Sequence, residues 1–153
     1  MKPIIRTYQN SDRNACISSF KSNIPKYFAN EELAYFEQFL NKIELKVDGL
    51  HYDVVILENQ LIGCGGFAVC ENDTAVLVWG LIDNNYQKLG LGEALVLHRI
   101  NVIKSYYPNH SIIIDTSQYS SGFFEKCGFV TTGITKDHYA IGLDRYDMIL
   151  KNY

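Results

Sequence analysis

A chain of 153 residues is about one domain long and can bury a substantial core. Its 47% hydrophobic and 20% charged residues are ordinary for a water-soluble globular protein, and a net charge of −3 without any Lys/Arg run excludes a general attraction to nucleic acid. No apolar run reaches the roughly 18 residues that a membrane span needs. The start MKPIIRTYQNSDR lacks the apolar stretch of a signal peptide, so a cytoplasmic protein is expected, with Cys16, Cys64, Cys70 and Cys127 reduced. There is no C-x-x-C pair, and His51, His98, His110 and His138 do not flank the cysteines at zinc-finger spacing, so no metal is expected.

In chain order, residues 4–8 read as a short strand, and Asn10-Ser11-Asp12 supplies cap chemistry for a first helix carrying Ala15, Ile17, Ser18 and Phe20. Pro25 interrupts that helix. A second helix from about Asn30 places Leu33, Phe36, Phe39, Leu40 and Ile43 at helical spacing. Three apolar runs follow, at 52–57, 61–70 and 74–82, joined by Glu58-Asn59-Gln60 and Glu71-Asn72-Asp73. Such short polar connections predict an antiparallel meander. Gly63, Gly65 and Gly66 in the middle strand mark a bulge, a close backbone approach or packing beside an aromatic ring.

Residues 83–91 form a loop, and 92–107 a helix with Val96, Ile100, Ile103 and Tyr107 along one stripe, stopped by Pro108. A buried strand at 112–115 and a short helix at 120–126 come next, with Gly128 just past the helix end. Residues 129–135 and 146–150 read as the last two strands, with an irregular loop over 135–145 between them. The result is one α/β domain over 1–153: a mixed, mostly antiparallel sheet flanked by helices.

The most informative segment is Tyr86-Gln87-Lys88-Leu89-Gly90-Leu91-Gly92-Glu93, where a strand gives way to a glycine-bearing loop and then a helix. Free N–H groups and the macrodipole make such a helix start attractive to an anion, and glycines let a phosphate approach the backbone. A Walker A loop needs G-K-[S/T], which is absent. A dinucleotide fingerprint would place an acid where Asp115 falls, but it needs a small residue where Leu95 stands and must follow the first strand of a βαβαβ run, whereas antiparallel strands lie upstream and only about 60 residues follow Gly92.

Gln87-x-x-Gly90-x-Gly92 resembles the [R/Q]-x-x-G-x-[G/A] loop of the GNAT superfamily of N-acetyltransferases. Phe123-Phe124-Glu125-Lys126-Cys127-Gly128-Phe129 is similar to that superfamily's F-Y-E-K-x-G-F run, and the element order β-α-α-β-β-β-α-β-α-β-β is shared along the whole chain. The resemblance implies an acetyl-CoA-dependent N-acetyltransferase, an acyl-CoA N-acyltransferase-like fold, and direct attack by a primary amine in a ternary complex. The amine is a small molecule or a peptide, and the protein a monomer or homodimer. The alternatives are a catalytically weak acyl-CoA sensor and, behind it, a dinucleotide-binding domain.

By the same resemblance, Leu81, Ile82 and Asp83 pair with the pantetheine arm. The amides of Gln87, Lys88, Leu89, Gly90, Leu91 and Gly92 hold the pyrophosphate, and Ser117 and Phe124 face the cofactor. Where the family often has a tyrosine that protonates the departing thiolate, this chain has Phe124, which has no proton to donate. Tyr119 and Tyr139 are the substitute acids to test, Asp83 and His138 the bases, and water the remaining donor. Tyr27, Phe28 and Tyr35 are the expected acceptor wall, with Glu31, Glu32 and Asp83 nearby. Asp144 and Arg145 are read as a structural ion pair.

Overall fold

The alternation of apolar and polar residues in the meander strands resolves into one sheet in the computed structural model, which describes residues 2–151. Residue 1 and residues 152–153, the ends of the expected domain, lie outside the described residues. Strands β1 (Ile4–Thr7), β2 (Leu50–Leu57), β3 (Gln60–Cys70) and β4 (Thr74–Ile82) pair antiparallel in sequence order. Glu58 and Asn59 (φ +50° and +65°) and then Asn72 and Asp73 (φ +63° and +53°) give the left-handed turns that match the twist of such hairpins. Next to β4 lies β5 (Ser111–Thr116), the one parallel neighbour, followed by β7 (Leu143–Leu150) and β6 (Phe129–Ala140). The order β1-β2-β3-β4-β5-β7-β6 has no βαβαβ half, which removes the dinucleotide-domain alternative.

Helices cover the two faces. α1 (Arg13–Lys21) and α2 (Glu32–Glu44) bury Cys16, Phe20, Phe36, Phe39 and Leu40 against Tyr52, Val54, Cys64 and Leu81. α3 (Leu91–Tyr106) and α4 (Ser121–Lys126) bury Val96, Ile100, Ile103 and Phe124 against Ala75, Leu77, Ile112, Ile114 and Met148 on the other face. Before α1, Asp12 holds the N-cap position, but its side chain makes no cap bond to that helix; its carboxylate accepts from the Gln9 amide at 2.8 Å and from both Arg6 guanidinium nitrogens at 2.8 and 2.9 Å. These bonds hold its carboxyl below the usual range. α2 begins at Glu32 rather than Asn30, and α3 at Leu91 rather than Gly92.

The last hairpin departs from expectation. Residues 135–145 are not an irregular loop. β6 runs on to Ala140, Ile141-Gly142 makes the turn with Gly142 at φ +81°, and β7 starts at Leu143. β6 is an edge strand exposed along most of its length, so it lacks the buried alternation that betrays a strand in sequence. Asp144 and Arg145 are not partners. Asp144 accepts from the Asp137 amide at 2.9 Å, while Arg145 Nε donates to Asp147 at 2.9 Å.

Candidate active site

Parallel pairing of β4 with β5 extends only from Thr74 opposite Ser111 to Leu77 opposite Ile114. β4 continues to Ile82 and β5 to Thr116, so the strands part and leave a gap between them. A bulge accompanies the parting: the β3–β4 register shifts between Cys64 and Gly66, and Trp79 adopts φ +46°. A non-glycine residue in that region costs about 1–2 kcal/mol. Its ring is held on the α1/α2 face within 5.4 Å of Phe36 and 5.9 Å of Phe20, centroid to centroid. A bulged strand bends and twists, which turns β4 away from β5.

Past the gap, Asp83 accepts from the Asn85 amide at 2.9 Å and its own amide donates to Ile62 at 2.7 Å. The expected base therefore caps the turn at Asn84–Tyr86. Lys88 (φ +66°) and Gly90 (φ +78°) then bend the chain into α3. No side chain caps that helix, and its first backbone bond runs from the Ala94 amide to Gly90 at 3.1 Å. Among the described residues the amides of Leu91, Gly92 and Glu93 have no acceptor, so they and the dipole form an anion-binding corner beside the gap. A Cβ at Gly92 would lie 3.4 Å from the Phe123 ring, which borders this corner.

The Gln87 side chain turns inward, donating to Asn23 Oδ1 at 2.8 Å and to the Ile82 carbonyl at 3.4 Å, so it tethers the loop. Asn23, 3% exposed, also donates to the Ser19 and Ile82 carbonyls, both at 3.0 Å. The Ile82 carbonyl thus already serves two internal donors, leaving less of it for a cofactor arm. No local pattern in the sequence signals this role for Asn23. Leu89 and Lys88 lie exposed on the loop, while Leu81 is buried and pairs with Cys64. Ser117 is buried, with Oγ accepting from the Tyr119 amide at 3.3 Å. Phe124 is a core ring, edge-on to Phe123 at 5.1 Å and to Phe129 at 5.7 Å, in the cluster that includes Leu77 and Ile114 at the inner end of the gap.

Tyr27 and Tyr119 meet edge to face at 6.5 Å, with the Lys26 ammonium 5.2 and 5.8 Å from their ring centres. Phe28 does not join that wall. It stacks on Phe20 at 4.6 Å, half-buried against the core. Tyr35 is exposed on α2 without a ring partner among the described residues. Tyr139 donates from its phenol to Asp115 at 2.6 Å, and burial with that carboxylate pushes the phenol up. His138 is exposed, its ring edge-on to Tyr139 at 5.2 Å. Beside Asp115 lies a cavity of about 310 Å³ lined by Val76, Ile113, Arg145, Asp147 and Ile149. Glu32 lies in the same acidic region: burial, then the charges of Asp115 and Glu31, raise its carboxyl. The charge of Asp115 thus reaches Glu32, a proximity that residues 83 apart in sequence do not announce.

The chain matches the model of the acetyltransferase (GNAT) domain over residues 24–151. Among solved structures, it is similar to the ribosomal-protein-S18-alanine N-acetyltransferase of Escherichia coli, at 17% identity and a TM-score of 0.76, covering 99% of both chains. Spermidine N-acetyltransferase from Vibrio cholerae, in complex with CoA and spermine, superposes at a TM-score of 0.75 and 18% identity, covering 97% of this chain and 94% of that one. A streptothricin acetyltransferase candidate from Bacillus anthracis, in complex with acetyl coenzyme A, gives 0.69 and 22%, covering 98% of each. No curated protein matches the chain in sequence. Among the described residues no helix is long and apolar enough to cross a membrane. With the family model spanning most of its length, the chain belongs to the GNAT family of N-acetyltransferases.

Proposed function

We propose that this protein transfers the acetyl group of acetyl-CoA to a primary amine by direct attack in a ternary complex. The observation that carries this reading is the parting of β4 and β5 directly beside the uncapped start of α3. The corner suits a pyrophosphate and the gap an extended arm laid along a free strand edge. The acyl end of such an arm lies under Trp79 and Gly80, with the Tyr27–Tyr119 rim and the Asp115–Glu32 region on the acceptor side. That rim and those carboxylates favour an ammonium-bearing acceptor, a small cationic amine or a basic peptide end. Attack on the thioester needs the neutral amine, so its surplus proton passes to water or to a carboxylate there.

CoA and acetyl-CoA should raise the melting temperature, since binding to the folded state contributes about 2.7 kcal/mol at a hundredfold excess over Kd. Gly92→Asp sets a carboxylate against the pyrophosphate and should abolish the shift, whereas Gly92→Ala, in ordinary contact with Phe123, should keep most of it. A full response from the Asp variant removes the loop from the site. Binding without turnover of any amine favours the acyl-CoA sensor instead.

A further inference from the structure

One strongly polar side chain in the interior has no part in the reading above. Arg99 on α3 is 1% exposed. Nη1 donates to the Gly66 carbonyl at 3.2 Å and Nε to the Leu95 carbonyl at 3.4 Å. No carboxylate is hydrogen-bonded to it. The nearby acid, Asp53, is engaged elsewhere, with His51 Nε2 and His98 Nε2 at 2.9 and 3.1 Å from its Oδ2. Nη2 has no hydrogen-bond partner among the described residues. Burial pulls Arg99 down to about 10, so it stays a cation at neutral pH.

Burying a cation is expensive, and an apolar residue of similar volume would commonly serve stability as well or better. Among the described residues no fully buried side-chain nitrogen or oxygen lacks a partner, so Nη2 keeps a little solvent exposure. The position of the idle donor gives the reason for keeping it. A Cβ on Gly80 would lie 2.7 Å from Nη2 and 2.9 Å from Nη1, so the guanidinium occupies the place of a side chain on the α3 side of Gly80. Gly65 is similarly close, 3.3 Å from the guanidinium carbon. Gly80 is exposed, directly follows the bulge residue Trp79, and belongs to the stretch of β4 that has left β5. Glycine therefore opens a window between the buried cation and the gap.

We propose that Arg99 is a catalytic residue: its Nη2 donates, past Gly80, to the carbonyl oxygen of the thioester held in the β4–β5 gap. This rests on the acetyl-CoA reading of that gap. The amine lone pair forms the new C–N bond while the C=O π pair moves onto oxygen, where Arg99 balances the charge. That pair then returns as the C–S bond breaks, and the sulfur leaves as a thiolate. The thiolate takes a proton from a neighbouring phenol or water, and the nitrogen loses one to water. A fixed donor in a dry site stabilises the transition state more than the ground state, and removing one such donor typically lowers kcat by about 10²–10³.

The decisive measurement is the infrared band of ¹³C=O-labelled acetyl-CoA bound to the protein. In the wild type it should fall below its frequency in water. In Arg99→Met it should return to the aqueous value, with kcat reduced by about 10²–10³ and the Kd for CoA, which carries no acyl group, within about threefold. Arg99→Lys keeps the charge with a shorter, single-point donor and should give an intermediate band. It also replaces the Met variant if that one does not fold. An unshifted band in the wild type overturns the proposal without any variant, and so does a wild-type shift that persists undiminished in either folded variant. If the wild type neither binds CoA nor consumes acetyl-CoA, the acetyltransferase reading fails. If it does both and the band ignores Arg99, only the role of Arg99 fails.

Discussion

A phenol can protonate a thiolate only if its own proton is available, and that separates the tyrosines around this site. Tyr139 donates to Asp115 at 2.6 Å, and losing that proton would set a phenolate against a carboxylate. Burial and Asp115 accordingly push it up, making it a poor acid at neutral pH. The phenol of Tyr119 is in no hydrogen bond among the described residues, the residue is 51% exposed, and the Lys26 ammonium lies 5.8 Å from its ring centre. Tyr119→Phe should therefore lower kcat by about 10² or more without changing acetyl-CoA affinity, while Tyr139→Phe should leave kcat within about fivefold. Steady-state kinetics with calorimetric binding checks this. A change of less than about threefold on Tyr119→Phe hands the role to water. Much of this was beyond reach in the sequence. Both tyrosines could be named as candidates, but the Asp115 contact that disqualifies one depends on a strand register that no local pattern encodes.

Elements explain why some glycines were informative and others were not. The glycine run in β3 signalled a bulge, a close approach or packing beside an aromatic ring, and all three occur along it. Gly65 faces Arg99 at the bulge, whereas Gly66 lies against the His51 carbonyl and the Tyr52 ring. A methyl at Gly66 would meet that carbonyl oxygen, which belongs to the paired strand and cannot swing aside. Gly66→Ala should cost about 3 kcal/mol or more. Gly122 in α4 has nothing within 4 Å of an added Cβ, so Gly122→Ala should stabilise by about 0.5–1 kcal/mol through the unfolded chain. Urea melts of the two variants test the contrast, and equal shifts would mean that the close approach at Gly66 is not there. The meander and the helices were legible because one face of each is buried. β6 was not, since an exposed edge strand is under no pressure to alternate.

For the molecule as a whole, charge was readable and its placement was not. The net charge of −3 is small, so attraction for a substrate has to come from where the carboxylates gather. Asp115 and Asp147 flank Arg145, which is engaged with them at 3.9 and 2.9 Å, and the charge of Asp115 reaches Glu32, on the side we propose for the acceptor. The raised Glu32 carboxyl is a sign of that crowding: burial and two neighbouring negative charges resist its ionisation, and an arriving cation would relieve the repulsion. Beside these groups, the Tyr27 and Tyr119 rings already hold one cation, Lys26, and a cation–π contact contributes about 0.5–2 kcal/mol. A polyamine or a Lys-containing peptide should therefore have a higher kcat/KM than a phosphorylated amino sugar. Raising salt from 50 to 300 mM, which shortens the screening length to below about 8 Å, should erode the polyamine's advantage several-fold by raising KM while leaving kcat nearly unchanged. Glu32→Gln should remove part of that salt dependence. A preference for the phosphorylated sugar, or a polyamine KM indifferent to salt, would show that this acidic face does not select the acceptor.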